Sequence, residues 1–358
     1  LLRDGKAYRG MGINFFGALY DAVRPGAKPT YERDFPLLAE SGVPFIRFAA
    51  TPYWPKHFEL YFEDQAAYFR RFDALVAAAE KAELGLIPSL FWNQMAVSDV
   101  VGEPRSAWGD PQSKTAQFMR QYTKEVITRY RDSPAIWAWE FGNEFSLDPD
   151  LPNAANHRPK VNVEMGTPAE RTEADDLTGE QFVSALRRWA KLARELDPDR
   201  AILSGNAVPR PYAWHNWKEG SWTIDSRKQY AAMLKRDNPD PVNTLSVHIY
   251  PRPGKTYFPQ KADLHEVIRE SMRPARALGK PLFVGEFGAN EQTWKDQTRA
   301  QIEKLLDTIV DERVPLSAFW VWRLDWQEPT FNVTESNHRQ YVLKLIAELP
   351  ADDVDVRE

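Results

Sequence analysis

Short apolar runs alternate with longer amphipathic stretches along the whole chain. The runs are YRGMGINF (8–15), PFIRFA (44–49), LGLIPSLF (84–91), AIWAWEFG (135–142), RAILSGN (200–206), NTLSVHIY (243–250), PLFVGEF (281–287) and LSAFWVW (316–322). Most are nearly continuous in apolar residues, as strands covered on both faces must be, whereas a strand with one wet face alternates. Segments at 30–41, 65–83, 114–131, 179–196, 226–236, 264–278, 296–312 and 337–348 carry apolar residues at helical spacing. Thr178 before one helix and Gly279 after another are suitable caps.

Eight strand-like runs, each followed by a helical segment, predict an α/β fold with a parallel sheet. Eight repeats in a chain of this length predict closure into a (β/α)8 TIM barrel, with an open doubly wound sheet as the alternative. Such barrels need about 250 residues. The 358 present therefore fit a single catalytic domain over 1–358 with room for long loops. Two are expected, at 148–178 after strand 4 and at 207–225 after strand 5. Asp148, Asp150, Asp175 and Asp176 read as a solvated acidic loop rather than a calcium site.

Composition narrows the function. The net charge is −5, from 46 basic and 51 acidic residues without a basic run, so no nucleic-acid partner is expected. No window of 18 apolar residues occurs, so no membrane insertion is expected. The absence of cysteine excludes thiolate metal sites and a thiol nucleophile. The six histidines show no HExxH or paired spacing, which argues against a metal. Gly10 and Gly12 begin a partial nucleotide fingerprint, but Phe15 stands where its third glycine is required, so no cofactor is expected. The opening LLRDGKAYRG lacks a signal peptide's apolar core and reads as a mature start, and a secreted or periplasmic monomer is expected.

Thirteen Trp, 13 Tyr and 19 Phe exceed ordinary core needs, and many occupy loop-like contexts. Flat rings facing water suit the apolar faces of sugars. In a barrel of this kind the site lies at the C-terminal ends of the strands. Those ends carry Arg47, Trp92, Asn93, Asn143, Glu144, His248, Tyr250, Glu286, Trp320 and Trp322. Retaining glycoside cleavage needs two carboxyl groups about 5–5.5 Å apart, one protonated and one ionised. Strands 4 and 7 lie nearly opposite in a ring of eight, so Glu144 and Glu286 can converge on one sugar. Arg47 and Tyr250 are assigned to Glu286, lowering its pKa and making it the nucleophile. Glu144, against apolar surface with His248 nearby, keeps its proton as acid/base. Asn143 is placed on the sugar 2-hydroxyl, and Trp322, with Trp320 as alternative, forms the floor under the reacting ring. Glu140 reads as a buried structural carboxylate. Phe15, Tyr53, Trp54, Trp214, Trp217, Trp222, Trp294 and Trp326 are candidates for outer subsites, with about half expected to touch sugar.

The motifs IRF at 46–48, WEFGNE at 139–144, HIY at 248–250, VGEFG at 284–288 and FWVWRLDW at 319–326 resemble glycoside hydrolase family 5. DGKAYRGMGINFF at 4–16 resembles that family's opening segment. The resemblance implies retaining cleavage of a β-linked glucan, mannan or related oligo- or polysaccharide, without metal or cofactor. An endo-acting cellulase or mannanase is the leading expectation. An exo-acting β-mannosidase or β-glucosidase, with 148–178 walling the cleft, is the second. A non-catalytic carbohydrate-binding barrel is the third, although it has no need of two carboxylates and their supporting groups.

Overall fold

The structure is a computed structural model and describes residues 2–3, 5–260 and 263–348. Eight parallel strands form its centre: β1 Gly10–Asn14, β2 Phe45–Ala49, β3 Gly85–Phe91, β4 Ala138–Gly142, β5 Ala201–Leu203, β6 Leu245–Ile249, β7 Leu282–Phe287 and β8 Leu316–Phe319. They are ordered β5-β4-β3-β2-β1-β8-β7-β6. The two ends of that order meet through a parallel bridge between Leu203 and Thr244, beside which the Ile202 N–H donates to Asn243 Oδ1 at 2.8 Å. The ring is thereby closed as a TIM barrel. A short antiparallel pair, Leu2–Arg3 with Lys6–Ala7, precedes it.

The outer layer comprises α1 Tyr31–Glu40, α2 Gln65–Lys81, α3 Lys114–Tyr130, α4 Gly179–Leu196, α5 Arg227–Arg236, α6 Leu264–Leu278, α7 Thr298–Asp311 and α8 Tyr341–Ala347. Each follows the strand of the same number. Thr178 caps α4 through a capping box with Gln181, and Gly279 ends α6 in the left-handed conformation at φ 64°.

Period two on β2 shows how the ring is filled. Ile46 and Phe48 point out into the large core shared with the helices. Phe45 points in and joins Tyr8, Ile87, Leu203, Phe283 and Leu316 in a plug near the strand starts. Ala49, two positions beyond Arg47, joins Phe16, Trp92 and Trp320 at the opposite mouth. Arg47 therefore lies between an apolar plug and an aromatic floor, the layer from which the functional groups rise.

The 148–178 segment departs from a solvated acidic loop. It contains three short 3-10 turns, and Asp148, Asp150, Asp175 and Asp176 pair with Arg105, Arg236, Arg171 and Arg158. Each of these carboxylates thus has a guanidinium partner. The 207–225 connection includes a helix, Ala213–Glu219.

Candidate active site

The backbone after β4 presents the first carboxylate. Glu144 adopts a left-handed conformation at φ 54°, and its N–H donates to Gly205 O at 2.8 Å. Gly205 itself has φ 72°, and a Cβ there would overlap the Gly142 carbonyl oxygen and crowd the Glu140 carboxylate. Only glycine combines that conformation with so close an approach. The second carboxylate, Glu286, lies within β7 and is 4% exposed. Its predecessor Gly285 leaves space for the His248 ring, whose Nε2 would lie 2.8 Å from a Cβ at that position.

Arg47 is the hub beneath both. Fully buried, it donates from Nη1 to Glu286 Oε1 at 2.8 Å and to Asn14 Oδ1 at 3.0 Å. Its Nη2 donates to Asn143 Oδ1 at 2.8 Å, and its Nε donates to Glu140 at 2.8 and 3.0 Å. The guanidinium also lies over the Trp92 ring, 4.4 Å from its centroid. Two buried carboxylates around one guanidinium, with amide oxygens on the remaining donors, leave little of its charge uncompensated. Asn14 then donates to Gly285 O at 2.9 Å, tying β1 to the strand that carries Glu286.

Tyr250 OH donates to Glu286 Oε2 at 2.6 Å, so each oxygen of this carboxylate has a fixed donor. Glu144 has no such pair. Its Oε1 lies 3.1 Å from His248 Nδ1, which is 3.6 Å from Glu286 Oε1. An oxygen from each carboxylate and a ring nitrogen of His248 all fall within 4.8 Å of one another. These three groups could encircle a cation, but the guanidinium bonded to Glu286 would repel it.

Burial sets the titration of the site. It lifts the Glu144 carboxyl to about 7, against the opposing charge of Arg47. Burial also raises Glu286, outweighing His248, Arg47 and Tyr250, so the expected lowering of its pKa is corrected. Burial holds His248 down to about 4, leaving it neutral near pH 7. The donors that favour ionised Glu286 are therefore Arg47 and Tyr250. Burial and the Glu286 charge push the Tyr250 hydroxyl well above its usual value, so it remains a donor.

These groups open into a cleft of about 850 Å³. Of the residues expected there from sequence, Tyr53, Trp54, Trp92, Asn143, His248, Tyr250, Trp320 and Trp326 line it along with both glutamates. Trp320 faces the cleft; its ring stacks at 26° on Trp92 and its Nε1 donates to Gln327 Oε1 at 2.7 Å. Trp322 is corrected: it is fully buried in the main core and cannot meet a ligand. β8 ends at Phe319, so the period-two argument that put both indoles on one face does not extend to them. Asn93 is also corrected. It caps the short helix Gln94–Val100, accepting from Met95 N and donating to Tyr53 O at 2.8 Å.

Phe15 packs edge-on against Phe35 in the core, and four of the other outer candidates lie away from the cleft lining. Trp214 stands against His215, Trp217 between Lys218 and Arg236, and Trp222 against Tyr212. Trp294 donates to Pro251 O at 3.1 Å, buttressing the loop after β6. Sequence reading missed Phe16, Tyr257, Asn290, Gln327, Phe331, Arg252 and Lys255 in the lining. Phe16 stands just past the end of the first strand, where the strand-end rule points to it, but sequence alone assigns it no contact with sugar. The rest are on loops whose direction no periodicity reveals.

A model of the family described as "Cellulase (glycosyl hydrolase family 5)" matches residues 6–325. The rice "Mannan endo-1,4-beta-mannosidase 2" is 22% identical over 82% of this chain and 66% of its own length. The "Probable mannan endo-1,4-beta-mannosidase F" of Aspergillus flavus is 40% identical over 81 residues, 21% of this chain and 17% of that protein. The chain thus spans under two thirds of the length of these relatives. Among solved structures, the endo-beta-1,4-mannanase of Thermotoga petrophila superposes with a TM-score of 0.69 at 16% identity, over 99% of this chain and 79% of that one. The endo-1,4-beta-mannanase of Rhizomucor miehei does so with a TM-score of 0.67 at 15% identity, over 97% and 94%.

Proposed function

The chain belongs to glycosyl hydrolase family 5, and from that premise we propose that it is a retaining, endo-acting β-mannanase. The carrying observation is the approach of Glu144 and Glu286 oxygens to within 4.8 Å. Retaining enzymes hold their carboxyls about 5–5.5 Å apart, while inverting enzymes need about 6.5–9.5 Å to admit a water.

In this reading Glu144 protonates the glycosidic oxygen as Glu286 attacks the anomeric carbon. The C–O bond to the leaving sugar breaks as the bond to Glu286 Oε forms. Glu144, now ionised, takes a proton from water, which attacks the same carbon and returns Glu286 as carboxylate. Tyr250 and Arg47 keep Glu286 aimed and ionised, while the Asn143 side-chain amide NH2, which bonds no described residue, donates to the sugar 2-hydroxyl. Trp320 carries the reacting ring, and Trp326, 72% exposed at the rim, is a platform for a more distant one. Mannan is the proposed substrate because the curated relatives above are named for it.

A polysaccharide substrate supports a location outside the cytoplasm, secreted or periplasmic. Among the described residues no helix is long and apolar enough to cross a membrane. Timed digestion of mannan tests the reading: solution viscosity should fall well before reducing ends accumulate, and Trp326→Ala should slow mannan more than a short aryl glycoside. Release of single sugars from chain ends with viscosity maintained would favour the exo-acting alternative. Sugar binding without turnover would leave only the binding barrel.

A further inference from the structure

The cleft lining includes four cations, Arg24, Arg210, Arg252 and Lys255. Two are accounted for. Arg24 pairs with Asp21 at 2.8 Å, and Arg210 donates to the carbonyls of Ser146, Leu147 and Pro149. Arg252 and Lys255, on the loop following β6, make no side-chain hydrogen bond or ion pair with any described residue. Lys255 is only partly exposed and rests over the Tyr257 ring, 4.6 Å from its centroid. Burial and the neighbouring Arg252 draw the Lys255 ammonium down to about 8. Arg252 is exposed and Lys255 half-buried, and with no protein anion on either, both are available to a negative group entering the cleft. A neutral sugar supplies none.

Both charges act on the Glu144 carboxyl, whereas the groups that chiefly govern Glu286 do not include them. They line the same cleft as the proton donor, whose role is to protonate the leaving sugar. We propose that Arg252 and Lys255 form a subsite for a carboxylate-bearing sugar, a hexuronate unit or acidic substituent, in the leaving half of the substrate. This rests on the retaining-glycosidase reading and adds to it a preferred substrate class. It also couples binding to catalysis, because a carboxylate that neutralises these cations removes an influence that lowers the Glu144 pKa. The acid/base group then holds its proton more firmly when the anionic unit is seated.

The probe is a β-linked mannotetraose analogue with one hexuronate in its leaving half, set against the methyl ester of the same compound. Binding is measured by calorimetry on the full chain carrying Glu286→Gln, and cleavage on the chain with Glu286 intact. The acid should bind at least about tenfold more tightly than the ester, with the preference shrinking as salt rises. In a chain that also carries Arg252→Gln and Lys255→Met, the preference should fall to near unity. Equal binding of acid and ester, or a preference that survives the double replacement, would overturn the subsite. Single replacements give the same readout should the double variant fold poorly. Failure of the intact chain to cleave either compound would instead overturn the glycosidase reading, while the binding ratio still decides the subsite.

Discussion

Glu144 and Glu286 differ in what touches them, and each difference has a measurable effect. Glu144 retains its proton up to about pH 7 because burial disfavours its charge. As the proposed acid must be protonated, kcat/KM should decline as pH rises through about 7. A profile that stays flat from mildly acidic to pH 9 would remove Glu144 from that role. The same shift affects stability. Between the ordinary value of 4.5 and about 7 the folded chain binds a proton that the unfolded chain has released. Stability is thus lost as pH rises through that window. Glu144→Gln should therefore be nearly inactive yet melt about 1–2 °C higher at pH 8, with the gain gone near pH 4.5. Glu286→Gln should lower kcat by roughly 10⁴-fold or more while leaving a folded protein. Both glutamates were legible in sequence because each ends or interrupts an apolar run, where a carboxylate needs a reason. The net effect on Glu286 was not, since neighbours suggest lowering and only the depth of burial shows that desolvation is larger.

Elements aim these residues through a few close contacts. Gly205 lets the loop after β5 reach the backbone around Glu144, so Gly205→Ala should cost more than about 2 kcal/mol by urea unfolding and lower kcat as well. Thr178→Ala provides the contrast. It removes the cap of α4, distant in role from the chemistry, and should cost about 1 kcal/mol with kcat maintained. If both variants lost activity in proportion to stability alone, the positioning argument for Gly205 would fail. Strands and most helices were legible because burial on two faces or one stripe writes a period into the chain. Trp320 and Trp322 show where period stops helping: one residue beyond β8, backbone direction rather than alternation decides which indole meets the cleft. Asn93 and the loop cations show the same limit, since a cap and a ligand contact use identical side chains.

At the scale of the molecule, ring closure brings together groups that the chain holds far apart. Arg47 gathers residues from β1, β4 and β7 within its layer, so Arg47→Met, which strands Glu140 and Glu286 without a counter-charge, should cost about 3–5 kcal/mol in denaturant unfolding. The alternation of strands and helices made this closure readable, and closure alone made the pairing of Glu144 with Glu286 foreseeable across 142 positions. The cleft walls were less readable, because the loops that build them obey local turn chemistry. The account depends on two carboxyls near enough for one to attack the carbon whose oxygen the other protonates. Proton NMR of the first sugar released from a β-mannan oligosaccharide, recorded before mutarotation, tests this most directly. The predicted product carries the β configuration at its new reducing end; a product that first appears as the α anomer would contradict it.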